Sequence, residues 1–354
     1  MTRPHLGNLR DLHLRKIRRL TAGQLHHRAP TLSPDGRLLL HALSSGTDSQ
    51  WLCTDRKGRI ARVLPGPVEG RGAISLDGSI AYGRQVGATC EIWLLAAGDA
   101  EPRRLLGGDG RLYRDPTFSP DGTRLAYLAD DGSSSVGQLR LWMYDLQRGT
   151  HELLLGSLPG QAHARLLHPI FAPWGDSLFC EAILDDGSAI FELQLTSGLC
   201  TQRSPLGYSS PAPLGRGIVI AAHHPDPQSI ELVLLAYPPG ADRLRQAVLL
   251  DRKHGAGEPT VAIDKKSQVF VAFTMPGSAH SGEPQRSDLH LGQLSKLPRR
   301  LLISSEGSPD ATAADNEAAP SDDKSAQALS AVLLTLSDDR PLLQDIWLAM
   351  ERGA

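Results

Sequence analysis

Little in this sequence announces a chemistry. It has four cysteines in 354 residues, Cys53, Cys90, Cys180 and Cys200, and none forms a Cys-x-x-Cys pair or joins histidines at zinc-finger spacing. That excludes a structural zinc finger, and a chain of this length buries enough apolar surface to fold without disulfides, so free thiols are expected. Charge of one sign is also lacking: a net −2 and a pI near 6.7 provide no basic field for nucleic acid. Apolar runs such as Ile218–Ala222 and Leu232–Ala236 are strand-length, far short of the ~20 residues that span a bilayer. The first residues carry Arg3, Arg10, Arg15, Lys16, Arg18 and Arg19 without a following apolar stretch or small-residue cleavage site. A cytoplasmic protein without membrane insertion is expected, or a periplasmic one if the start is misassigned.

Catalytic motifs are missing as well. Gly207-Tyr-Ser-Ser-Pro211 lacks the last glycine of a nucleophile elbow, and His151-Glu-Leu-Leu-Leu155 is not a zinc-protease helix. The acidic Asp130-Asp131-Gly132 and Asp185-Asp186-Gly187 lack the spaced oxygens of a calcium loop and read as tight turns. No catalytic residue and no cofactor is assigned.

What the sequence does have is 35 glycines, 25 prolines and a repeat. The clearest copy is Arg114-Asp-Pro-Thr-Phe-Ser-Pro-Asp-Gly-Thr-Arg-Leu-Ala-Tyr-Leu128, followed by a turn and Leu139-Arg-Leu-Trp-Met-Tyr-Asp-Leu146. The order recurs at Arg28–His41 and, degraded, at Gly72–Tyr82, with weaker copies at His168–Phe179, Ser210–Ile220 and Glu258–Phe273. In Ser-Pro-Asp-Gly each residue has a backbone reason: Ser opens the turn, Pro presets φ, Asp tolerates the third place and Gly the fourth. The unit is a strand, a hairpin and a strand, and a spacing of about 40 to 53 residues fits four strands per propeller blade. Third strands recur at Glu91–Leu95, Leu139–Met143, Ala189–Leu193, Glu231–Leu235 and Asp288–Gly292, and charged outer strands at Pro102–Leu106 and Pro298–Leu302. The fold class is therefore all-β, a single β-propeller.

The chain ends bear on the blade count. Gln344–Ala349 copies the third-strand pattern and Ile17–Thr21 the fourth, so residues 16–21 are expected to close a last, seventh blade and remove its open edge. That blade would use 316–321, 329–337 and 343–350. The alternative is six blades, an acidic loop or linker at 304–325 and a helix within 326–354, since Leu342, Leu343, Ile346, Trp347 and Met350 also have helical spacing. Residues 1–15 are set apart as a basic arm, with the propeller occupying 16–354.

These repeats resemble the TolB-like, or PD40, branch of WD40-like propellers, named for the Pro-Asp turn present here at Pro34-Asp35 and Pro120-Asp121. The resemblance implies the fold and little of the function, because the family includes binding scaffolds, peptidase propellers and sugar-acid lyases. TolB itself is exported and carries an additional α/β domain; neither an export signal nor that domain is expected here.

Aligning the copies on their recurrent proline places Ala29, Arg71, Asp115, His168, Ser210, Glu258 and Ala319 at one rim position of the central channel, with Arg28 and Arg114 beside it. These residues form a candidate polar cup, the alternative being solvated rim residues. Trp51, Trp93, Trp142 and Trp347 fall on or beside third strands and read as core, whereas Trp174 replaces a turn Asp and is expected to be more exposed. Function is read as a non-catalytic, monomeric scaffold that presents its channel mouth to an unidentified protein or peptide. The alternative is a metal-dependent sugar-acid lyase or small-ligand hydrolase, with His41 and either His223 or His224 as metal candidates. Neighbours on a strand point to opposite faces, so only one of that pair can face a shared site.

Overall fold

The Ser-Pro-Asp-Gly turns fold as hairpin connectors, and their aspartates do more than tolerate the third position. In the first, Gly36 N–H donates to Ser33 O at 2.7 Å, Gly36 sits at φ +65°, and Asp35 Oδ1 accepts from Arg37 N–H at 3.0 Å. Ser119–Gly122 and the degraded Ser75–Gly78 repeat the geometry, with Asp121 accepting from Thr123 N–H and Asp77 from Ser79 N–H. Burial works to raise these three carboxyls, but hydrogen bonds from serine hydroxyls and backbone N–H groups outweigh it and hold them below the usual range.

The computed structural model describes residues 12–295, apart from 22–24, 46–47, 131–137, 162, 227, 238–243, 265, 267 and 277–286. After β1 (Leu14–Arg19), blade one is β2 (His26–Leu32), β3 (Leu38–Ser45), β4 (Asp48–Asp55) and β5 (Ile60–Leu64). Blade two is β6 (Val68–Ile74), β7 (Ile80–Val86), β8 (Thr89–Leu95) and β9 (Arg103–Leu106). Blade three is β10 (Tyr113–Phe118), β11 (Arg124–Ala129), β12 (Arg140–Asp145) and β13 (Thr150–Leu155). Blade four is β14 (Arg165–Phe171), β15 (Ser177–Leu184), β16 (Gly187–Gln194) and β17 (Cys200–Gln202). Blade five is β18 (Tyr208–Gly215), β19 (Ile218–Asp226), β20 (Ser229–Ala236) and β21 (Arg245–Leu250). Blade six takes β22 (Gly257–Ile263), β23 (Val269–Pro276) and β24 (Ser287–Leu294) from one end of the described chain, and β1 from the other.

Alternation along the strands seals blade to blade. Leu40 of β3 joins Trp51 and Cys53 in a cluster with Ile74, Ile80 and Tyr82 of blade two. Its neighbour Leu39 points the other way, into a cluster with Ala262, Ala272, Leu289 and Leu291 of blade six. Inner strand β2 thus lies between β6 and β22, and the described residues close as a ring of six. All four thiols are free.

The closing strand comes from the expected segment but has a different partner. It runs Leu14–Arg19, so it begins inside what the sequence sets apart as an arm, and it pairs antiparallel with β24 in the register Leu14↔Leu294, Arg15↔Gln293, Arg18↔Leu291 and Arg19↔His290. It occupies the outer-strand place that the sequence reserved for Pro298–Leu302. The reason is packing: Leu12 and Leu14 enter the apolar cluster of blades five and six, beside Leu294, Val271 and Phe273. Arg19 pairs with Asp288 at 2.7 Å, and Thr21 Oγ1 accepts from Leu289 N–H at 3.0 Å. Segments 298–302, 316–321, 329–337 and 343–350, the loop 304–325 and the tail 326–354 lie outside the described residues.

Candidate functional site

The proline that aligns the repeats marks a bulge. A proline cannot donate to a ladder, so inside a sheet it requires an interruption, and every inner strand shifts register there: Arg28/Thr31, Glu69/Ala73, Arg114/Thr117, Leu167/Ile170, Ser209/Ala212 and Gly257/Thr260. The residue before each proline is left-handed, with φ +51° at Ala29, +52° at Asp115, +50° at His168, +52° at Ser210 and +47° at Glu258. In blade two the left-handed residue is Gly70, at φ +65°. The bulge there is one residue longer, Glu69 to Ala73, and the ladder resumes two places after Arg71 as it does two places after Ala29 and Asp115, so Arg71 keeps the ring position to which the sequence aligns it, with Gly72 in the place of the proline.

The left-handed turn aims backbone N–H groups across the blade joints, and carboxylates receive them. Asp115 binds both neighbours of blade three: Oδ1 accepts from Arg71 N–H at 2.7 Å and Oδ2 from His168 N–H at 3.4 Å. Glu181 of β15 joins blades four and five by accepting from Ser210 N–H at 3.0 Å, and Glu258 joins six to one by accepting from Ala29 N–H at 2.9 Å. The threonines after the prolines add Leu32 N–H to Thr260 Oγ1 at 3.2 Å, and Thr31 Oγ1 to Gly72 O at 2.8 Å. Among the described hydrogen bonds none crosses the joint between blades five and six, which is held by the apolar cluster containing Ala212, Ile220, Ala256, Val271 and Phe273.

Five of the seven candidates from sequence, Arg71, Arg114, Asp115, His168 and Ser210, form one cluster. Arg71, 9% exposed, reaches the opposite blade and donates from Nη2 to Ser210 Oγ at 3.0 Å. Arg114 lies 3.2 Å from Glu69 and 3.5 Å from Asp115, and His168 Nδ1 is 3.3 Å from Glu181. Burial works to raise the Asp115 and Glu181 carboxyls, but His168, the nearby arginines and the backbone donors outweigh it and hold both low. Asp115 is 1% exposed, so it and Arg71 are internal ties rather than the open rim the sequence indicates. Arg28 turns toward blade two, its Nη2 3.4 Å from Val68 O.

Ser210 also shares an opening with Glu258. Ser210 and Glu258 line a cavity of about 250 Å³ with His26, Ser209, Ala222, His224, Ile230, Gly255, Gly257, Thr274, Met275, Pro276 and Ser287. It sits at the mouth where inner strands begin, over the joint without polar ties. Ser209 Oγ and His224 Nε2 are 2.9 Å apart, and burial lowers the His224 pKa, which favours the neutral ring. The described hydrogen bonds supply no carboxylate to orient its other nitrogen, so the pair can hold a ligand but lacks the third group of a hydrolytic triad.

The histidines singled out for metal lie apart. His41 is buried in blade one, its Nδ1 3.4 Å from that of His27, and burial lowers their pKa values to about 3 and about 4. His223, in blade five, stacks on Tyr208 and faces Glu231. Among the described residues no three His, Cys, Asp or Glu side chains gather as a metal site. Trp174 is half-buried like Trp93 and Trp142, edge-on to Phe179 and beneath Arg216; Trp347 lies outside the described residues.

Sequence reasoning missed Glu181, His26 and Ser287, and singled out His224 only as an alternative to His223 for metal. They stand on second and third strands or at strand starts, where no repeat marks them. The recurrent X-Pro was available as a signal for the bulges.

No family model matches the sequence, and no curated protein matches it. Among solved structures, TolB from Acinetobacter baumannii superposes at a TM-score of 0.54 with 15% identity, over 68% of this chain and 58% of that one. A protein described as TolB from Agrobacterium tumefaciens gives 0.50 at 19% identity, over 66% of this chain and 83% of its own. An oligogalacturonate lyase from Vibrio parahaemolyticus aligns with 80% of this chain at 13% identity and a TM-score of 0.48. This chain spans 58% of the length of the first TolB, and the fold is that of the TolB-like propellers.

Proposed function

We propose that the protein is a binding propeller that takes a segment of a partner polypeptide in the mouth cavity above the joint of blades five and six. One observation carries this reading. The channel carboxylates Asp115 and Glu181 are consumed in tying blades together, while the cavity keeps hydroxyl, imidazole and carboxylate groups beside the apolar Ile230, Met275 and Pro276. Such a mixed lining suits an amphipathic segment. At about 250 Å³ the cavity is smaller than the ~300–1,000 Å³ pockets that enclose whole small-molecule ligands, which favours one or two side chains of an extended chain. A peptide library selected on the immobilised protein tests this, with Ile230→Trp filling the cavity and Val63→Trp on outer strand β5 as control. Selected peptides should lose at least tenfold in affinity for Ile230→Trp and bind Val63→Trp unchanged. Equal binding to all three proteins, or no selection, rules the mouth out.

A further inference from the structure

The charges around the mouth are paired, with one exception. Glu69 has Arg114 at 3.2 Å, Asp115 has Arg114 at 3.5 Å, and Glu181 has His168 at 3.3 Å with Arg71 nearby. Further out, Asp288 has Arg19 at 2.7 Å and Glu231 has His223 at 3.4 Å. Glu258 lines the cavity, and among the described residues its carboxylate has no cation within ion-pair distance; its partner is the neutral N–H of Ala29 on Oε2. The arginines that could have neutralised it are turned elsewhere: Arg28 to Val68 O, Arg114 to Glu69, and Arg71 to Ser210.

The rest of the lining holds no lysine or arginine. Ser287 Oγ donates its single proton to His27 O, so at the 2.9 Å contact with His26 Nδ1 it must accept. The contact therefore places a proton on His26 Nδ1. Arg71, whose guanidinium touches Ser210, is offset by Glu181. Ile230, Ala222, Met275 and Pro276 supply apolar surface alongside, which is what the methylene stem of a long basic side chain covers.

We infer that the mouth cavity recognises a basic side chain of the partner segment, its charged head at Glu258 and its stem along Ile230, Met275 and Pro276. This rests on the reading that the mouth takes a partner segment. The test uses two synthetic peptide libraries identical except at the central residue, lysine in one and norleucine, which keeps the four-carbon stem without the ammonium, in the other. Binding is measured to the wild-type protein, to Glu258→Gln, whose amide oxygen can still accept from Ala29 N–H, and to Ile230→Trp. The lysine library should bind the wild type at least tenfold better than the norleucine library. Glu258→Gln should erase that preference without lowering the melting temperature, and raising salt from 50 to 500 mM should narrow the preference of the wild type, as screening requires. Equal binding of the two libraries, or an unchanged preference in Glu258→Gln, overturns the basic side chain. If both libraries lose binding to Ile230→Trp in that event, the mouth itself stands; if neither does, both readings fall.

Discussion

Removing residues 1–21 should unfold the ring rather than trim it. The deletion strips the outer strand from blade six and bares β24, whose partners in β1 run from Leu14↔Leu294 to Arg19↔His290. It withdraws Leu12 and Leu14, 3% and 7% exposed, from a core shared by blades five and six; burying such a side chain contributes roughly 1.5–3 kcal/mol. It also removes Arg19 from Asp288, a carboxylate only 6% exposed, and Thr21 from Leu289 N–H. Arg19 is largely solvated, so its pairing contributes less than a fully buried pair would, but the uncovered Asp288 adds to the penalty. Together the loss is about 5 kcal/mol or more, comparable with the whole stability of many domains at ~5–15 kcal/mol. The truncated protein should melt well below the full chain and aggregate through its open edge, and a synthetic peptide of residues 12–21 should restore the melting temperature in a concentration-dependent way. A truncation that melts with the full chain would show that β1 contributes nothing to closure.

The second large effect is expected at Asp115. One carboxylate satisfies N–H groups of two neighbouring blades and lies beside Arg114 and His168, so Asp115→Ala strands two donors and uncovers a cation at once. Each unsatisfied buried donor costs about 1–3 kcal/mol, and the charge adds to it, so a loss of about 4 kcal/mol is expected in urea unfolding. Asp115→Asn, which keeps one acceptor oxygen, should fall between. Gly70→Ala should resemble the alanine variant, because a Cβ there would lie 2.2 Å from Asp115 Oδ1 on a backbone already at φ +65°. The pH dependence has a definite sign. Asp115 is held below its unfolded value, so its contribution is complete above the ordinary carboxylate range and disappears as pH falls through the folded pKa. Asp115→Asn should therefore flatten the acid limb of stability. An Asp115→Ala protein with the wild-type urea midpoint would show that the carboxylate ties no blades.

The architecture was legible because its signals are local. A Ser-Pro-Asp-Gly turn folds on its own hydrogen bonds, so Ser33–Gly36 and Ser119–Gly122 read correctly as connectors, and third strands such as Glu91–Leu95 fall inside observed strands. The partner of the closing strand was not legible. Ser287–Leu294 and Gln344–Ala349 carry the same pattern, and the choice is made by β2 packing on β22, a contact between segments more than two hundred residues apart. The site was legible in part. Aligning the prolines found the ring, but in blade two the left-handed turn sits on Gly70, one place before Arg71, because the bulge there is one residue longer. How far a rim carboxylate is consumed depends on the joints it faces: Asp115 accepts N–H groups from both neighbouring blades, whereas Glu258 accepts one, from Ala29, and on its other side borders a joint sealed by apolar side chains. Nothing in the local sequence around Asp-Pro and Glu-Pro distinguishes the two.

Closure of the ring by β1 on β24 underlies both the stability and the shape of the mouth, and a disulfide tests it most directly. Arg15 and Gln293 are directly opposed in the two strands, with Arg15 exposed and Gln293 half-buried, and opposed residues of antiparallel strands lie within bridging distance. Arg15→Cys combined with Gln293→Cys should oxidise rapidly to a single intramolecular cross-link in the folded protein and raise its melting temperature. Arg15→Cys combined with a cysteine at any position from Asp345 to Ala349 should not. Failure of the 15–293 link together with efficient linking to the 345–349 segment would contradict the six-blade closure.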